Sequence, residues 1–69
     1  MKKYTVRIYN YYNNVVQEFH HNSFEVAKRC ARRFVVYWAD IIDNEFNTLY
    51  IYDERTGEER YYNTELIAL

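Results

Sequence analysis

The side chains best suited to chemistry in this chain are two adjacent histidines, one cysteine and several acidic residues. His20 and His21 could suggest a metal site. Adjacent residues on a strand point to opposite faces, so these two imidazoles cannot share one ion without a kink. A tetrahedral metal site also needs further ligands, and the chain has no other histidine and a single cysteine. The sequence therefore predicts no metal site and two surface histidines on a strand.

Cys30 lies on the apolar face of a predicted helix, beside alanine and phenylalanine. No neighbouring residue is placed to deprotonate it, as a nucleophilic thiol requires. A buried structural thiol is the better interpretation. A lone cysteine also excludes an intramolecular disulfide and favours a reducing compartment.

The acidic pairs Asp53/Glu54 and Glu58/Glu59 flank the only glycine, Gly57. They are predicted on an exposed hairpin tip, where no concavity raises a carboxyl pKa toward neutrality. A lone glycine does not form a phosphate-binding loop. The sequence thus predicts a protein that is not an enzyme and that binds no cofactor.

One helix is predicted from Asn22 to about Asp43, because apolar residues recur there at spacings of three and four. Asn22 is the predicted N-cap, with Glu25 completing a capping box. Asn44 is the predicted left-handed residue that ends the helix. The apolar face comprises Ala27, Cys30, Ala31, Phe34, Trp38 and Ile41.

The rest of the chain alternates between apolar and polar residues, as half-buried strands do. Strands are predicted at 4–12 and 15–20, joined by a turn at Asn13 and Asn14. In that hairpin Ile8 faces Phe19. Two more strands are predicted at 48–53 and 59–63, with Gly57 in the left-handed conformation of the turn. That pairing sets Ile51 opposite Tyr61, and Tyr50 opposite Tyr62.

These elements predict one α+β domain over residues 1–69, a two-layer ββαββ fold with one helix packed on a four-stranded antiparallel sheet. Strand order 2-1-3-4 makes every neighbour antiparallel. A helix of about 21 residues would be longer than these strands, so either it ends near Ala39 or its last turns overhang the sheet. The tail 65–69 or a second subunit would then cover Trp38, Ile41 and Ile42.

Charge divides unevenly along a chain whose net charge is −1. Residues 1–34 carry seven Lys/Arg against two Glu, and residues 35–69 carry two Arg against eight Asp/Glu. Much of the positive charge falls on one helix face, predicted as a basic patch for phosphates or an acidic protein surface. The alternative is a solvating face whose aliphatic stems shield the core. The patch consists of Lys28, Arg29, Arg32 and Arg33.

The sheet face turned away from the helix is the second candidate surface, since more tyrosines are predicted to be exposed on it than a plain solvated face needs. Tyrosine and arginine are enriched at protein interfaces, and aromatic sheet faces also stack single-stranded nucleic acid. Cross-strand packing within a thin sheet, or a dimer of sheets, would explain the same pattern. The predicted partner-binding residues are Tyr9, Tyr11, Tyr50, Tyr52, Tyr62 and Arg60.

Two segments carry a resemblance to a known group of proteins. One contains Ser23, Ala27, Lys28 and Arg29 at the start of the helix; the other contains Ile51, Asp53, Thr56, Gly57 and Glu58 at the second hairpin. In layout and in these segments the chain resembles small phage-encoded anti-CRISPR proteins. The resemblance implies a helix on an antiparallel sheet that occludes the surface of a CRISPR effector. It assigns no functional residue.

These observations predict a small non-catalytic protein that binds and blocks a larger protein or nucleoprotein complex. The resemblance implies a phage-encoded inhibitor of a host nucleic-acid-targeting complex. A nucleic-acid-binding module using the basic patch and the tyrosine-rich sheet is one alternative, and a structural homodimer is another. The sequence starts with a polar strand and has no long apolar run, so a cytoplasmic location without membrane contact is expected. The resemblance to phage-encoded proteins implies that this is the cytoplasm of a bacterial host.

Overall fold

The computed structural model describes residues 2–67 as one helix lying across one face of an antiparallel sheet. The sheet has five strands, in the order β2-β1-β3-β4-β5. This confirms the α+β class, and the predicted count of four strands is wrong. The elements are β1 (Tyr4–Tyr9), β2 (Val15–His21), α1 (Phe24–Phe34), β3 (Trp38–Ile42), β4 (Thr48–Asp53), β5 (Glu58–Tyr61) and a 3₁₀ turn (Thr64–Leu66).

The extra strand comes from the second half of the predicted helix. Helix α1 ends at Phe34, where the Val35 N–H donates to the Ala31 carbonyl and Val35 itself is extended. The following segment is rich in β-branched and aromatic residues, which favour strands. Residues 39–42 are buried on both faces of β3, and a fully buried strand cannot be separated from a buried helix by periodicity. The predicted overhanging helix end therefore does not exist.

Both predicted helix caps are also wrong in detail. The N-cap is Ser23, whose hydroxyl accepts the Val26 N–H at 3.3 Å, one residue after the predicted Asn22. Asn44 is not left-handed. Phe46 takes that conformation instead, with φ of 64° in the turn between β3 and β4.

The first hairpin has the predicted faces and a different register. Val6, and not Ile8, is opposite Phe19, and Ile8 is opposite Gln17. The shift of two residues follows from a longer loop, in which the Asn10 side chain accepts two backbone N–H groups at 2.9 and 3.0 Å. An even shift preserves which side chains share a face.

The second hairpin differs from the prediction by one residue in register, and the predicted faces of β4 are reversed from Tyr50 onward. Tyr50 is opposite Tyr61, and Tyr52 is opposite Glu59. Gly57 has a φ of 71°, which confirms its predicted left-handed conformation. Tyr50 and Tyr52 face the helix and Ile51 faces away from it, because an irregularity in the β3–β4 pairing leaves Leu49 without an opposite residue and reverses the alternation after it.

The core lies between α1 and the sheet. Cys30 is buried in it, as predicted. Of the predicted tail 65–69, Ile67 packs against this core, and Ala68 and Leu69 lie outside the described residues. No helix in the described part of the chain is long and apolar enough to cross a membrane. The buried cluster is Tyr4, Val6, Ile8, Phe24, Ala27, Cys30, Ala31, Ala39, Ile41, Leu49 and Tyr50.

Candidate interaction surface

The sheet face opposite α1, called the outer face below, has no second layer of described residues over it. Pairing registers place on it the alternate residues of each strand that point away from the helix. It is polar at its margins and carries aromatic residues near both ends. Its residues are Thr5, Arg7, Tyr9, Glu18, His20, Trp38, Asp40, Ile42, Ile51, Asp53, Glu58, Arg60 and Tyr62.

A partly buried ion pair occupies the centre of the outer face. Arg7 and Asp40 are opposite each other on β1 and β3, and the guanidinium donates from Nε to Oδ1 at 2.9 Å and from Nη2 to Oδ2 at 2.6 Å. The Tyr9 hydroxyl donates to Oδ2 at 3.2 Å. Asp40 is only 3% exposed although no second layer of residues 2–67 covers this face. A bidentate pair with a third donor fixes the geometry at the middle of the sheet.

The position of Tyr9 beside Asp40 keeps its phenol protonated and its ring packed. Burial raises the pKa of the Tyr9 phenol to about 12, and the nearby Asp40 carboxylate adds to the shift. The ring of Tyr9 stacks on the Trp38 indole, with centroids 3.8 Å apart and planes within 1° of parallel. The Trp38 Nε1–H donates to Asn13 Oδ1 at 2.9 Å, which ties the first hairpin loop to β3. Tyr9 is thus on the outer face as predicted, but it is nearly buried.

One end of the outer face is an open aromatic depression of about 490 Å³. Tyr11, which is 69% exposed, meets the Tyr37 ring at 5.1 Å. The Arg55 guanidinium lies 4.5 Å from the centroid of Tyr37 and is held there by Asp53. The lining is Tyr11, Asn13, Tyr37, Trp38, Ile51, Asp53 and Arg55.

A second, smaller depression of about 200 Å³ continues this surface across β4 and β5. Arg60 and Tyr62 line it with Ile51, and the Arg60 Nε donates to Glu58. The predicted outer positions of Arg60 and Tyr62 are therefore confirmed. Both are accessible to solvent.

The other end of the outer face carries Phe46, the most exposed large apolar residue described, at 79%. Its turn is fixed by the Asp43 carboxylate, which accepts the backbone N–H groups of Glu45 and Asn47 at 2.9 Å each. A phenylalanine with positive φ is a strained backbone position, and such strain persists where surrounding contacts impose it. Phe46 also walls a depression of about 280 Å³ with Arg7, His20 and Ile42.

Two of the six predicted partner-binding residues are not on this surface. Tyr50 is fully buried in the core, and its hydroxyl donates to Glu59 beneath α1. Tyr52 is partly buried on the same side and packs against the core. The cause is the irregularity between β3 and β4, where Leu49 has no opposite residue and the alternation of faces changes.

The predicted basic patch is partly neutralised. Lys28 donates to the Tyr61 hydroxyl at 3.1 Å and forms an ion pair with Glu25 at 3.2 Å. Arg32 forms an ion pair with Glu59 at 2.7 Å. Arg29 and Arg33 have no acidic partner among residues 2–67, although Arg33 lies 5.5 Å from the centroid of Phe34. The patch reduces to these two arginines on the exposed side of α1.

The histidines and the cysteine lie apart. His20 is on the outer face, where its Nδ1 is 3.1 Å from the Thr5 hydroxyl, and His21 is on the opposite face. The Nε2 of His21 is buried without a hydrogen-bond partner in the described chain. Burial raises the pKa of the Cys30 thiol. Across residues 2–67 no three His, Cys, Asp or Glu side chains converge as metal ligands.

Sequence reasoning missed several residues that lie on the outer face or border it, among them Tyr37, Trp38, Asp40 and Phe46. The first three were placed in the predicted helix, so their faces were assigned with the helical period of 3.6 residues and not with the strand period of two. Asp40 offered a signal, because an acid among Trp38, Ile41 and Ile42 requires a cationic partner if that segment is buried. Phe46 also offered one, as an aromatic residue within a polar connector.

Comparisons with protein-family models, curated proteins and solved structures found no match to this chain.

Proposed function

We propose that this chain is a small non-catalytic protein that binds the surface of a larger protein through its outer face and thereby blocks that surface. The observation that carries the proposal is a rigid centre flanked by exposed aromatic side chains. Arg7, Asp40, Tyr9 and Trp38 fix the middle of the sheet. Exposed aromatics on a pre-organised support lose little entropy on binding, which favours affinity.

The charge of the outer face favours a protein partner over nucleic acid. Each of its arginines is already paired with a carboxylate, as Arg7 is with Asp40 and Arg60 with Glu58. Arg55, which borders it, is paired with Asp53. Affinity for nucleic acid comes largely from cations that neutralise phosphates. A surface of aromatics and internally paired arginines instead has the composition of a protein interface.

Within this class we propose the narrower role of an inhibitor of a host nucleic-acid-targeting complex. Its support is the resemblance to small anti-CRISPR proteins. Its test is direct: the pure chain is added to a purified effector of this kind, and guided DNA cleavage is measured. Inhibition that titrates with the chain is the expected result. Unchanged cleavage across the effectors tested would remove the narrower role and leave the binding role standing.

The binding role is tested by comparing two surface variants in one capture experiment. The tagged chain is incubated with bacterial lysate, and bound proteins are quantified by mass spectrometry. We expect Tyr11→Ser combined with Phe46→Asn to lose a partner that the unmodified chain retains. The matched variant, Arg29→Ala with Arg33→Ala on the helix, should keep it. The reverse pattern would move the binding site to α1.

Nucleic-acid binding through α1 is the second candidate, and Arg29 and Arg33, which lack acidic partners in the described chain, favour it. With two cations the slope of log affinity against log salt for duplex DNA should be about −1.8, against about −3.6 for four. Fluorescence anisotropy at several salt concentrations measures this slope. Absence of binding to single- or double-stranded probes at low salt would exclude this function.

A further inference from the structure

The two edges of the sheet differ in how well they are protected against pairing with another strand. β5 has four residues, Glu58–Tyr61, and three of them are charged. β2 has seven residues, Val15–His21, with Glu18 as its only acid and neither lysine nor proline. Charge, proline, shortness and bulges are the usual means of blocking an edge, and the irregularity of β2, at Val16, leaves residues 17–21 in regular register. No described strand pairs with the outer side of β2.

An incompletely covered aromatic pair lies beside this edge, on the helix side. Phe19 of β2 stacks on Phe34 at the end of α1, with centroids 4.8 Å apart. Phe34 is exposed, because the helix ends there and the chain turns back into the sheet. Val16, farther along the edge, is half exposed. The unprotected edge therefore has apolar surface beside it.

We propose that the β2 edge pairs antiparallel with β2 of a second copy of this chain, with Phe19 opposite Phe19 of the partner subunit. A two-fold axis perpendicular to the sheet relates the copies, so each contact occurs twice. The two five-stranded sheets become one of ten strands. Both helices lie on the same side, and the two Phe19–Phe34 pairs meet at the axis.

Charge complementarity selects this register among those that the symmetry allows. Glu18 and His20 lie on the outer face, and their side chains already approach to 3.8 Å within one chain. With Phe19 on the axis, Glu18 is opposite His20 of the partner subunit, and His20 is opposite Glu18 of the partner subunit. A register one residue away would set two Glu18 carboxylates opposite each other, which is destabilising. A register centred on Gln17 would set Glu18 opposite an apolar valine.

The proposal is independent of the partner-binding role, because it uses the sheet edge and not the outer face. In such a dimer the two outer faces would form one continuous surface. The dimer also explains the exposure of Phe34, which no described residue covers fully. Apolar area at an interface is a driving force for association.

The experiment measures mass by sedimentation velocity over a micromolar concentration series. The unmodified chain should sediment at twice its 8.6 kDa chain mass. His20→Glu sets Glu opposite Glu twice and should raise the dimer dissociation constant about tenfold. The exchange Glu18→His with His20→Glu restores complementarity and should restore dimerisation. Phe34→Lys should weaken the dimer, and Arg60→Glu on the β5 edge should not.

Cross-linking tests the register itself, in a Cys30→Ala background. A mixture of the Glu18→Cys and His20→Cys chains should form a disulfide-linked dimer on oxidation, and neither chain alone should. Cross-linking of Glu18→Cys alone would place Glu18 on the axis and overturn the register. A monomer at every concentration, or a dimer insensitive to both His20→Glu and Phe34→Lys, would overturn the proposal. Circular dichroism of each variant verifies that the fold is retained.

Discussion

Arg7 and Asp40 are 33 residues apart in the chain and directly opposite each other on adjacent strands, joined by two hydrogen bonds of 2.9 and 2.6 Å. The pair lies on the sheet face that no helix of the described chain covers, with side-chain exposures of 27% for Arg7 and 5% for Asp40. Neighbouring side chains on the same face therefore shield the pair from solvent. The hydrogen bonding of this pair raises the pKa of the Arg7 guanidinium. Strands β1 and β3 depend on each other through it.

The first prediction concerns loss of the charge on Asp40. Asp40→Asn keeps the volume, removes the charge and leaves Arg7 half-buried without its counterion. Breaking a fully buried pair costs about 3–5 kcal/mol, and the partial exposure of Arg7 reduces this to about 2 kcal/mol. Urea denaturation followed by circular dichroism measures the free energy of unfolding. Glu54→Gln, on the exposed hairpin tip, is the control and should change it by less than about 0.5 kcal/mol.

The second prediction concerns stability at high pH. Burial raises the pKa of Tyr9 to about 12 from its ordinary value of 10. The folded chain holds this proton more tightly than the unfolded chain does. The stabilisation is therefore complete below pH 10 and is lost as the pH rises from 10 through 12.

Tyr9→Phe isolates this effect, because it keeps the ring stacked on Trp38 and removes the titrating group. It should cost about 1 kcal/mol at pH 7 through the lost hydrogen bond to Asp40. Its stability should then fall less steeply between pH 10 and 12. Some fall will remain, since burial also raises the pKa of Tyr50. Equal slopes for both chains would contradict this assignment.

The sequence predicted the layers correctly because they follow from composition and pattern. Ala27, Cys30 and Ala31 do lie on the buried face of the one helix, and Gly57 does turn the second hairpin. The predicted number of strands was wrong because of Trp38–Ile42, where spacings of three and four fit a helix and a fully buried strand equally well. Only the residues that pair with this segment decide between helix and strand. A long-range pair such as Arg7 with Asp40 cannot be recognised from the local sequence pattern.

The third prediction concerns Gly57, which has a φ of 71° and open space around the position that a β-methyl group would take, with no atom within 4 Å of it. Gly57→Ala therefore adds no clash and tests the backbone alone. A left-handed alanine costs about 1–2 kcal/mol. Thermal unfolding should show this loss, and Thr56→Ala should change stability less. A Gly57→Ala chain as stable as the unmodified one would mean that the turn relaxes to another type.

The fourth prediction concerns the contact that fastens α1 to β5. Glu59 accepts hydrogen bonds from Tyr50 and Arg32, and these lower the pKa of its carboxyl. Its contribution is present above the ordinary pKa of 4.5 and is lost as the pH falls through the lowered value. Glu59→Gln should cost about 1 kcal/mol at pH 7 and flatten the acid limb of the stability curve. Arg29→Ala, one helical turn before Arg32 on the exposed side of α1, is the control. It should leave the stability at pH 7 and the acid limb of the curve unchanged.

The outer face was predicted less well than the fold, for a geometric reason. Tyr9, Tyr11, Arg60 and Tyr62 lie there, and the face of Tyr50 was wrong. Faces in a strand alternate with period two, so one extra residue within a strand reverses every side chain after it. Leu49 is that residue in β4, where the pairing with β3 skips from Thr48 to Tyr50, and the local sequence does not mark it.

The last prediction separates folding from binding at Phe46. Its backbone is left-handed with φ of 64°, and its ring is 79% exposed, so it contributes little to the core. Phe46→Asn relieves a conformation that asparagine tolerates better, and it should raise the free energy of unfolding by about 0.5 kcal/mol. The same variant, without the Tyr11 change, should weaken capture of the partner proposed for the outer face. A gain in stability with a loss in binding would mean that this position is strained for recognition. If the variant is more stable and still binds normally, Phe46 lies outside the interface, and the contact surface narrows to the aromatic depression around Tyr11 and Tyr37.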